Sequence, residues 1–200
     1  MGLPLEGEAL EALADPAISL RAYAKIIDQK TGQEHTFDPF AITDRLQETV
    51  VSYYSEPPKT ALGQTKWLTL LGYRQAGKSL TAELCGYIRS AYTPGHDHVC
   101  IADNKDRAEY LHRRIHLTHS RWPELVRSDT VPNREVRQLT FQHGGKMRVL
   151  SGESGAVGIG QSPDSFHGSE LPYWRNAGHQ FSMIYPSMIN RDHSQVLLES

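Results

Sequence analysis

Short apolar runs and a helical repeat alternate through the middle of the chain. Residues 65–71, TKWLTLL, form an apolar run with the length of a buried strand. After a glycine-rich turn, apolar residues recur at helical spacing until TPG, namely Leu80, Leu84, Ile88 and Ala91. A second apolar run, HVCIAD, follows directly. A strand, a helix and a strand in this order predict a parallel βαβ crossover.

Another helix is predicted before this unit. Leu46, Val50 and Tyr53 recur at helical spacing from Ile42 onwards. The helix has to end before SEPPKT, because paired prolines cannot continue it. Residues 1–36 contain a short helical pattern, SLRAYAKIIDQ, and then the turn-rich KTGQE, with few large apolar residues. We therefore expect an N-terminal helical arm over 1–36 and a single larger domain over 37–200.

The second half of the chain adds a helix and more strands. KDRAEYLHRRIHL places Ala108, Leu111 and Ile115 on one helix face. RQLTFQ and KMRVLS flank a glycine turn and predict a β-hairpin, and SQVLLES at the end is typical of a core strand. The predicted fold class is α/β, with a mainly parallel, doubly wound sheet that is flanked by helices and carries a β-hairpin.

Composition excludes several classes of protein. The chain has 200 residues, of which 38% are hydrophobic and 22% charged, which is ordinary for a globular domain. A net charge of −2 gives no global attraction to nucleic acid or to acidic membranes. Cys85 and Cys100 form no CxxC pair, so we interpret them as small buried side chains. Neither a membrane span nor a signal peptide is recognisable, and we expect a cytosolic protein.

The glycine-rich turn between the first strand and its helix has a pattern that predicts phosphate binding. GYRQAGKS, from Gly72 to Ser79, matches the Walker A pattern GxxxxGK[ST] in full. A strand runs into its first glycine and a helix begins at Lys78, so backbone amides and the helix dipole face a phosphate group. Lys78 is predicted to reach the β- and γ-phosphates of ATP, and Ser79 to bind Mg²⁺.

The other residues of the loop complete the predicted nucleotide site, and they are Tyr73, Arg74, Gln75, Ala76, Gly77 and Leu80. Arg74 is unusual, because many loops of this kind have a small or apolar residue there. It either supplies charge to the γ-phosphate during transfer or is an exposed loop residue, and residue type leaves both interpretations open.

Hydrolysis also requires a carboxylate that orients the attacking water, usually at the end of a neighbouring strand. Two residues are candidates, Asp103 at the end of HVCIAD and Glu170 in DSFHGSELPYW.

Four segments together resemble the ATPase domain of the large terminase subunits, the DNA-packaging motors of tailed bacteriophages. They are GYRQAGKS, HVCIADNKDRAEYLHRRI, LTFQHGGKMRVLSG and GIGQSPDSFHGSELPYW, and the similarity runs from about Phe37 to Ser200. In that family the water-activating glutamate often lies in a His-x-Ser-Glu segment that ends in an aromatic residue. The resemblance therefore favours Glu170 over Asp103, with His167, Ser169 and Trp174 matching the segment.

The resemblance implies further roles for residues of this chain. A glutamine on the helix before the phosphate loop contacts adenine, and Gln47 is the matching position. A coupling motif, typically Glu-Ser-Thr-Ala, follows at a strand end, and Glu199 and Ser200 match its beginning. We therefore expect the chain to be a fragment that ends inside this motif, with a nuclease domain beyond Ser200.

The partners that the resemblance implies are double-stranded DNA, further copies of the chain in a ring, a portal protein and a small terminase subunit. It implies ATP and Mg²⁺ as cofactors and the host bacterial cytoplasm as the location.

Three features depart from the family pattern. Ser169 occupies the position at which many P-loop enzymes have a Walker B aspartate. PDSFHG is a poor strand by propensity. The arginine that acts in trans in this family has no clear counterpart, with Arg148 and Arg175 as candidates.

Other interpretations stay open on the sequence. A helicase or remodelling ATPase would share the fold, although it should have an Asp-Glu pair at Ser169 and Glu170. A P-loop phosphotransferase usually carries an arginine-rich lid, which we do not find, and a non-catalytic nucleotide-binding module is a further alternative. His112, His116 and His119 lie close together on one predicted helix, but HRRIH lacks the glutamate of HExxH, which favours a solvated face over a metal site.

Overall fold

The computed structural model describes residues 7–27, 33–37, 45–56, 65–72, 77–132, 137–154, 162–188 and 194–200. Its helices are α1 (Glu8–Ala14), α2 (Pro16–Tyr23), α3 (Arg45–Ser55), α4 (Lys78–Tyr92), α5 (Lys105–Arg121) and α6 (Ala177–Met188). Its strands are β1 (Lys25–Ile27), β2 (Glu34–Thr36), β3 (Lys66–Leu70), β4 (Asp97–Ala102), β5 (Gln138–Thr140), β6 (Lys146–Ser151), β7 (Ser165–Gly168) and β8 (Gln195–Glu199). Single 3₁₀ turns cover Gly152–Ser154 and Leu171–Tyr173.

Six of these strands form one sheet in the order β3-β8-β7-β4-β6-β5. All neighbouring pairs are parallel except β5 and β6, which form the antiparallel hairpin. Gly144 takes φ 87° in the hairpin turn, a conformation that glycine adopts without strain. The predicted βαβ unit, the hairpin and the terminal core strand are confirmed.

The sheet is covered on both faces, which confirms the doubly wound arrangement. Alternate residues of a strand point to opposite faces, and in β4 Cys100 belongs to the core on the face of α1 to α5, whereas Val99 and Ile101 belong to the core under α6. In β8, Leu197 belongs to the first core and Val196 to the second. These central strands are therefore buried on both sides, as parallel strands require.

One local prediction is wrong, and one segment of low strand propensity nevertheless forms a strand. The helical pattern SLRAYAKIIDQ continues only to Tyr23, and Lys25–Ile27 instead pairs with Glu34–Thr36 as a small antiparallel ladder. The segment with low strand propensity forms β7, because Ser165–Gly168 hydrogen-bonds to strands on both sides. In both segments long-range pairing outweighs the local preference of the residues.

The N-terminal helices share the core of the rest of the chain. Leu13, Leu20 and Ala24 are buried in the same cluster as the apolar face of α4. The division at residue 36 stays a prediction. Helices α1 and α6 were not foreseen in the sequence, and the region before Arg45 in which the helix of Ile42 was predicted to begin lies outside the described residues.

A close contact between α4 and β4 fixes their separation. The buried ring of His98 lies against Gly86, and its Nδ1 is 2.7 Å from Oγ of Ser165. A Cβ at Gly86 would lie 2.7 Å from Cε1 of His98. Only a glycine allows the helix to approach the sheet this closely.

The first prediction concerns this contact. Gly86→Ala should lower the free energy of unfolding by roughly 1–3 kcal/mol, because an added methyl group overpacks a buried contact. The measurement is urea-induced unfolding followed by circular dichroism. Gly178→Ala in α6 is the matched control, since a Cβ there meets nothing within 4 Å. Equal effects of the two substitutions would contradict the role of Gly86.

Candidate active site at the carboxyl edge of the sheet

Five parallel strands end at the same edge of the sheet. Their carboxyl ends lead to Gly72, Asp103, Gly152, Ser169 and Ser200. In open α/β sheets this edge is where ligands bind. The register places Leu70 of β3 beside Glu199 of β8, and Gly168 of β7 beside Leu198 of β8. The predicted phosphate loop and the predicted catalytic acid are therefore separated by a single strand, β8.

Of the predicted phosphate loop, the structure describes Gly72 and the residues from Gly77 onwards. Gly77 caps α4 with φ 73°, in the left-handed region that favours glycine. Lys78 is buried, and its Nζ donates to the carbonyl oxygen of Gly72 at 3.1 Å. The amino end of a 15-residue helix thus faces the loop, with the partial positive charge that attracts phosphate. Tyr73, Arg74, Gln75 and Ala76 lie outside the described residues.

Helix α3 packs against both ends of the phosphate loop. A Cβ at Gly77 would lie 3.2 Å from Cδ of Gln47, and a Cβ at Gly72 would lie 2.8 Å from Cδ1 of Leu46. Gln47 is buried. The structure therefore brings the glutamine that the sequence singled out next to the loop. Its contact with adenine stays a prediction.

The chain turns sharply where β7 ends. Glu170 has φ 56°, which is uncommon for a residue with a side chain. Just before it, the amide of Ser169 donates to the carbonyl oxygen of Ile101 at 2.9 Å. Nε1 of Trp174 donates to the carbonyl oxygen of Ser169 at 2.8 Å. These two bonds hold the backbone of Ser169, immediately before Glu170, in place. Residues other than glycine that have a positive φ are concentrated at functional sites.

The two acids considered in the sequence share one cation. Nη1 of Arg107 lies 3.3 Å from Oε1 of Glu170, and Nε of Arg107 lies 3.5 Å from Oδ1 of Asp103. Arg107 was not singled out in the sequence. Arg107 lies four residues after Asp103 at the start of a helix, and this spacing would have predicted that the two side chains pair. Its link to Glu170 depends on the tertiary structure.

Glu199 lies in a buried polar cluster beneath this edge. Its Oε1 accepts from Oγ of Ser169 at 3.0 Å and lies 3.1 Å from Nε2 of His167. Burial raises the pKa of Glu199, but hydrogen bonds from His167, Ser79 and Ser169 more than offset this and leave the pKa below its usual value. The carboxylate is therefore ionised at neutral pH, and it connects β8 with β7 and with the first turn of α4.

His167 extends the same cluster into β4. Its Nδ1 lies 3.4 Å from Sγ of Cys100, and its side chain is fully buried. Burial lowers the pKa of His167, whereas Cys100 and Glu199 raise it to about 10. The protonated imidazole therefore compensates the charge of Glu199. Both cysteines are free and buried, as expected from the sequence.

The remaining candidates are placed as follows. Arg148 is nearly buried and its Nε donates to Oδ1 of Asp97 at 3.0 Å, so its charge is compensated within the sheet. Arg175 is exposed.

On α5, Nε2 of His112 and Nε2 of His116 are 2.9 Å apart. Among the described residues no group of three His, Cys, Asp or Glu side chains is arranged to hold a metal ion.

In the part of the chain that the structure describes, every helix is too short or too polar to cross a bilayer.

Comparisons with known proteins identify the fold. No protein-family model matches the sequence, and no curated protein is significantly similar to it. The large terminase ATPase domain of Thermus phage P74-26 is similar in structure, with a TM-score of 0.55 at 17% identity over 77% of this chain and 63% of that chain. A mutant of that domain gives a TM-score of 0.57 at 18% identity over the same shares.

The large terminase of bacteriophage HK97 is also similar, with a TM-score of 0.68 at 14% identity over 94% of this chain. The present chain corresponds to 37% of that protein. The resemblance to terminase ATPase domains and the predicted P-loop NTPase fold are confirmed as structural similarities.

The second prediction tests the buried cluster. Glu199→Ala should lower the free energy of unfolding by roughly 3–5 kcal/mol, because it leaves His167 buried without its counter-charge. Glu199→Gln, the matched variant, removes the same charge but keeps an oxygen that accepts from Ser169, so it should cost less than Glu199→Ala by the contribution of that hydrogen bond. Both are measured by urea-induced unfolding at neutral pH. A Glu199→Ala protein as stable as the wild type would contradict the structural role of the cluster.

Proposed function

We propose that this chain is the ATP-hydrolysing motor domain of a phage large terminase subunit, which powers the translocation of double-stranded viral DNA into a procapsid. The convergence of Lys78, Ser79, Glu170 and Glu199 at one edge of the sheet is the observation that carries the proposal. The four residues come from two strand ends and one helix start, within a fold that large terminase ATPase domains share.

The residues of the loop, Gln47 and Glu170 have separate parts in the proposed reaction. Lys78 and the loop amides bind the β- and γ-phosphates, and Gln47 contacts the adenine from α3. Glu170 accepts a proton from the attacking water and orients it in line with the bond that breaks. Arg74 adds positive charge beside the γ-phosphate. Ser79 would hold Mg²⁺, which would supply further positive charge to the phosphates.

The arrangement of the acids supports the choice of Glu170. It lies two residues after the end of β7 and remains about a quarter exposed, so it is accessible from the ligand-binding edge. Asp103 is more buried and binds the same Arg107 from the side of β4. Asp103 thus helps to position Arg107, and Arg107 restrains the side chain of Glu170.

The packaging role brings further components with it. We propose that the chain acts as a homo-oligomeric ring on double-stranded DNA, together with a portal protein and a small terminase subunit, in the cytoplasm of the host bacterium. The net charge of −2 means that contact with the DNA backbone has to come from a local basic surface.

The third prediction concerns hydrolysis. Lys78→Ala should abolish both ATP binding and turnover, because the phosphates lose their principal cation. Glu170→Gln should still bind ATP but hydrolyse it about 10²–10⁴-fold more slowly, the usual contribution of a general base. Phosphate release and the binding of a fluorescent ATP analogue are measured side by side.

Glu124→Gln, which removes an exposed acid after α5, is the control for the loss of a carboxylate. Full turnover by Glu170→Gln would show that the acid is wrongly assigned. Stimulation of turnover by double-stranded DNA is expected of a packaging motor, whereas phosphorylation of a small acceptor would favour a phosphotransferase.

A further inference from the structure

The position before Glu170 lacks a carboxylate. In P-loop enzymes of this kind, Mg²⁺ is held by the serine or threonine of the loop together with an aspartate at the end of a neighbouring strand. Here that position is Ser169, which is 1% exposed. A serine hydroxyl carries no charge, and Mg²⁺ in nucleotide sites is usually bound through one or two carboxylates as well as the phosphates. Some other residue has to supply the charge.

Glu199 lies where such a carboxylate is required. It belongs to β8, which runs between the strand of the phosphate loop and the strand of Glu170. Its carboxylate forms hydrogen bonds with the hydroxyl of Ser79 and with the hydroxyl of Ser169. The two positions that hold Mg²⁺ in related sites therefore meet at a single buried acid.

The other two acids at this edge are arranged differently. In the part of the chain that the structure describes, Asp103 and Glu170 both pair with the guanidinium of Arg107, whereas the acid that meets the hydroxyl of Ser79 is Glu199. Glu199 is instead 3% exposed and is oriented through Oε1, which contacts both Ser169 and His167. Among the described acids, Glu199 is thus the one that combines contact with Ser79 with a fixed orientation.

We propose that Glu199 supplies the carboxylate for Mg²⁺ in place of the aspartate that Ser169 replaces, and that Ser169 holds this carboxylate in position. The inference rests on the proposed ATPase function. It assigns to Glu199 a role in metal binding in addition to the coupling role implied by its place in the sequence.

The fourth prediction separates the effect of Glu199 on metal binding from its effect on nucleotide binding. ATP affinity is measured by isothermal titration calorimetry in EDTA and in excess Mg²⁺, and Mn²⁺ binding with a non-hydrolysable ATP analogue is measured by electron paramagnetic resonance. In Glu199→Gln, ATP affinity in EDTA should equal that of the wild type. The Mn²⁺ affinity should fall about 10–100-fold, the usual effect of losing a residue that supports a metal.

A relocated carboxylate provides the strictest check. The double variant Ser169→Asp with Glu199→Gln places an acid at the usual position and should recover most of the Mn²⁺ affinity. Glu124→Gln again serves as the control and should behave as the wild type.

The outcomes distinguish this inference from the function on which it rests. A wild-type chain that binds no ATP in either buffer would overturn the proposed function and the inference with it. ATP binding by the wild type, combined with unchanged Mn²⁺ affinity in Glu199→Gln, would overturn the inference alone. Loss of ATP binding in EDTA by Glu199→Gln would also contradict it, because Glu199 would then maintain the whole site.

Discussion

The rest of this site depends on how one buried charge, the ionised carboxylate of Glu199, is compensated. This carboxylate lies between β8, β7 and α4. An isolated charge in a protein interior costs several kcal/mol unless it is paired and hydrogen-bonded. Here His167 supplies the opposite charge, and the hydroxyls of Ser79 and Ser169 supply hydrogen bonds. Because these partners come from β7 and α4, satisfying one carboxylate fixes the positions of both relative to β8.

The strand order makes this arrangement possible. β8 is the last strand in the chain, yet it is inserted between β3 and β7. Just after β8, the amide of Ser200 donates to the carbonyl oxygen of Leu70, and the carbonyl oxygen of Ser200 accepts from the amide of Gly72. The end of β8 is therefore joined to the beginning of the phosphate loop through the backbone. A displacement of the loop would therefore act on Glu199 through these two backbone hydrogen bonds.

Two glycines set the distances around the loop and the helix that follows it. Gly77 allows the loop to reverse beside Gln47, and Gly86 allows α4 to lie against His98. The helix that carries Lys78 and Ser79 is therefore packed against α3 at its amino end and against β4 at Gly86. Close packing of this kind fixes the start of α4, and a fixed helix start presents its amides without reorganisation.

The sequence by itself determined the glycine-rich turn after β3, the helices that carry Leu111 and Val50, the hairpin and the α/β class, because each follows from local spacing and turn chemistry. It also singled out Gln47, Glu170 and Glu199 through a family resemblance, and the structure brings all three to the same edge of the sheet. Only the tertiary structure decided that Ser165–Gly168 is a strand, since its low propensity is overcome by ladder bonds on both sides. The link of Arg107 to Glu170 and the meeting of Glu199 with Ser79 and Ser169 were likewise decided there. These residues are separated by up to 120 positions in the chain, and their proximity comes from strand order, which no local pattern encodes.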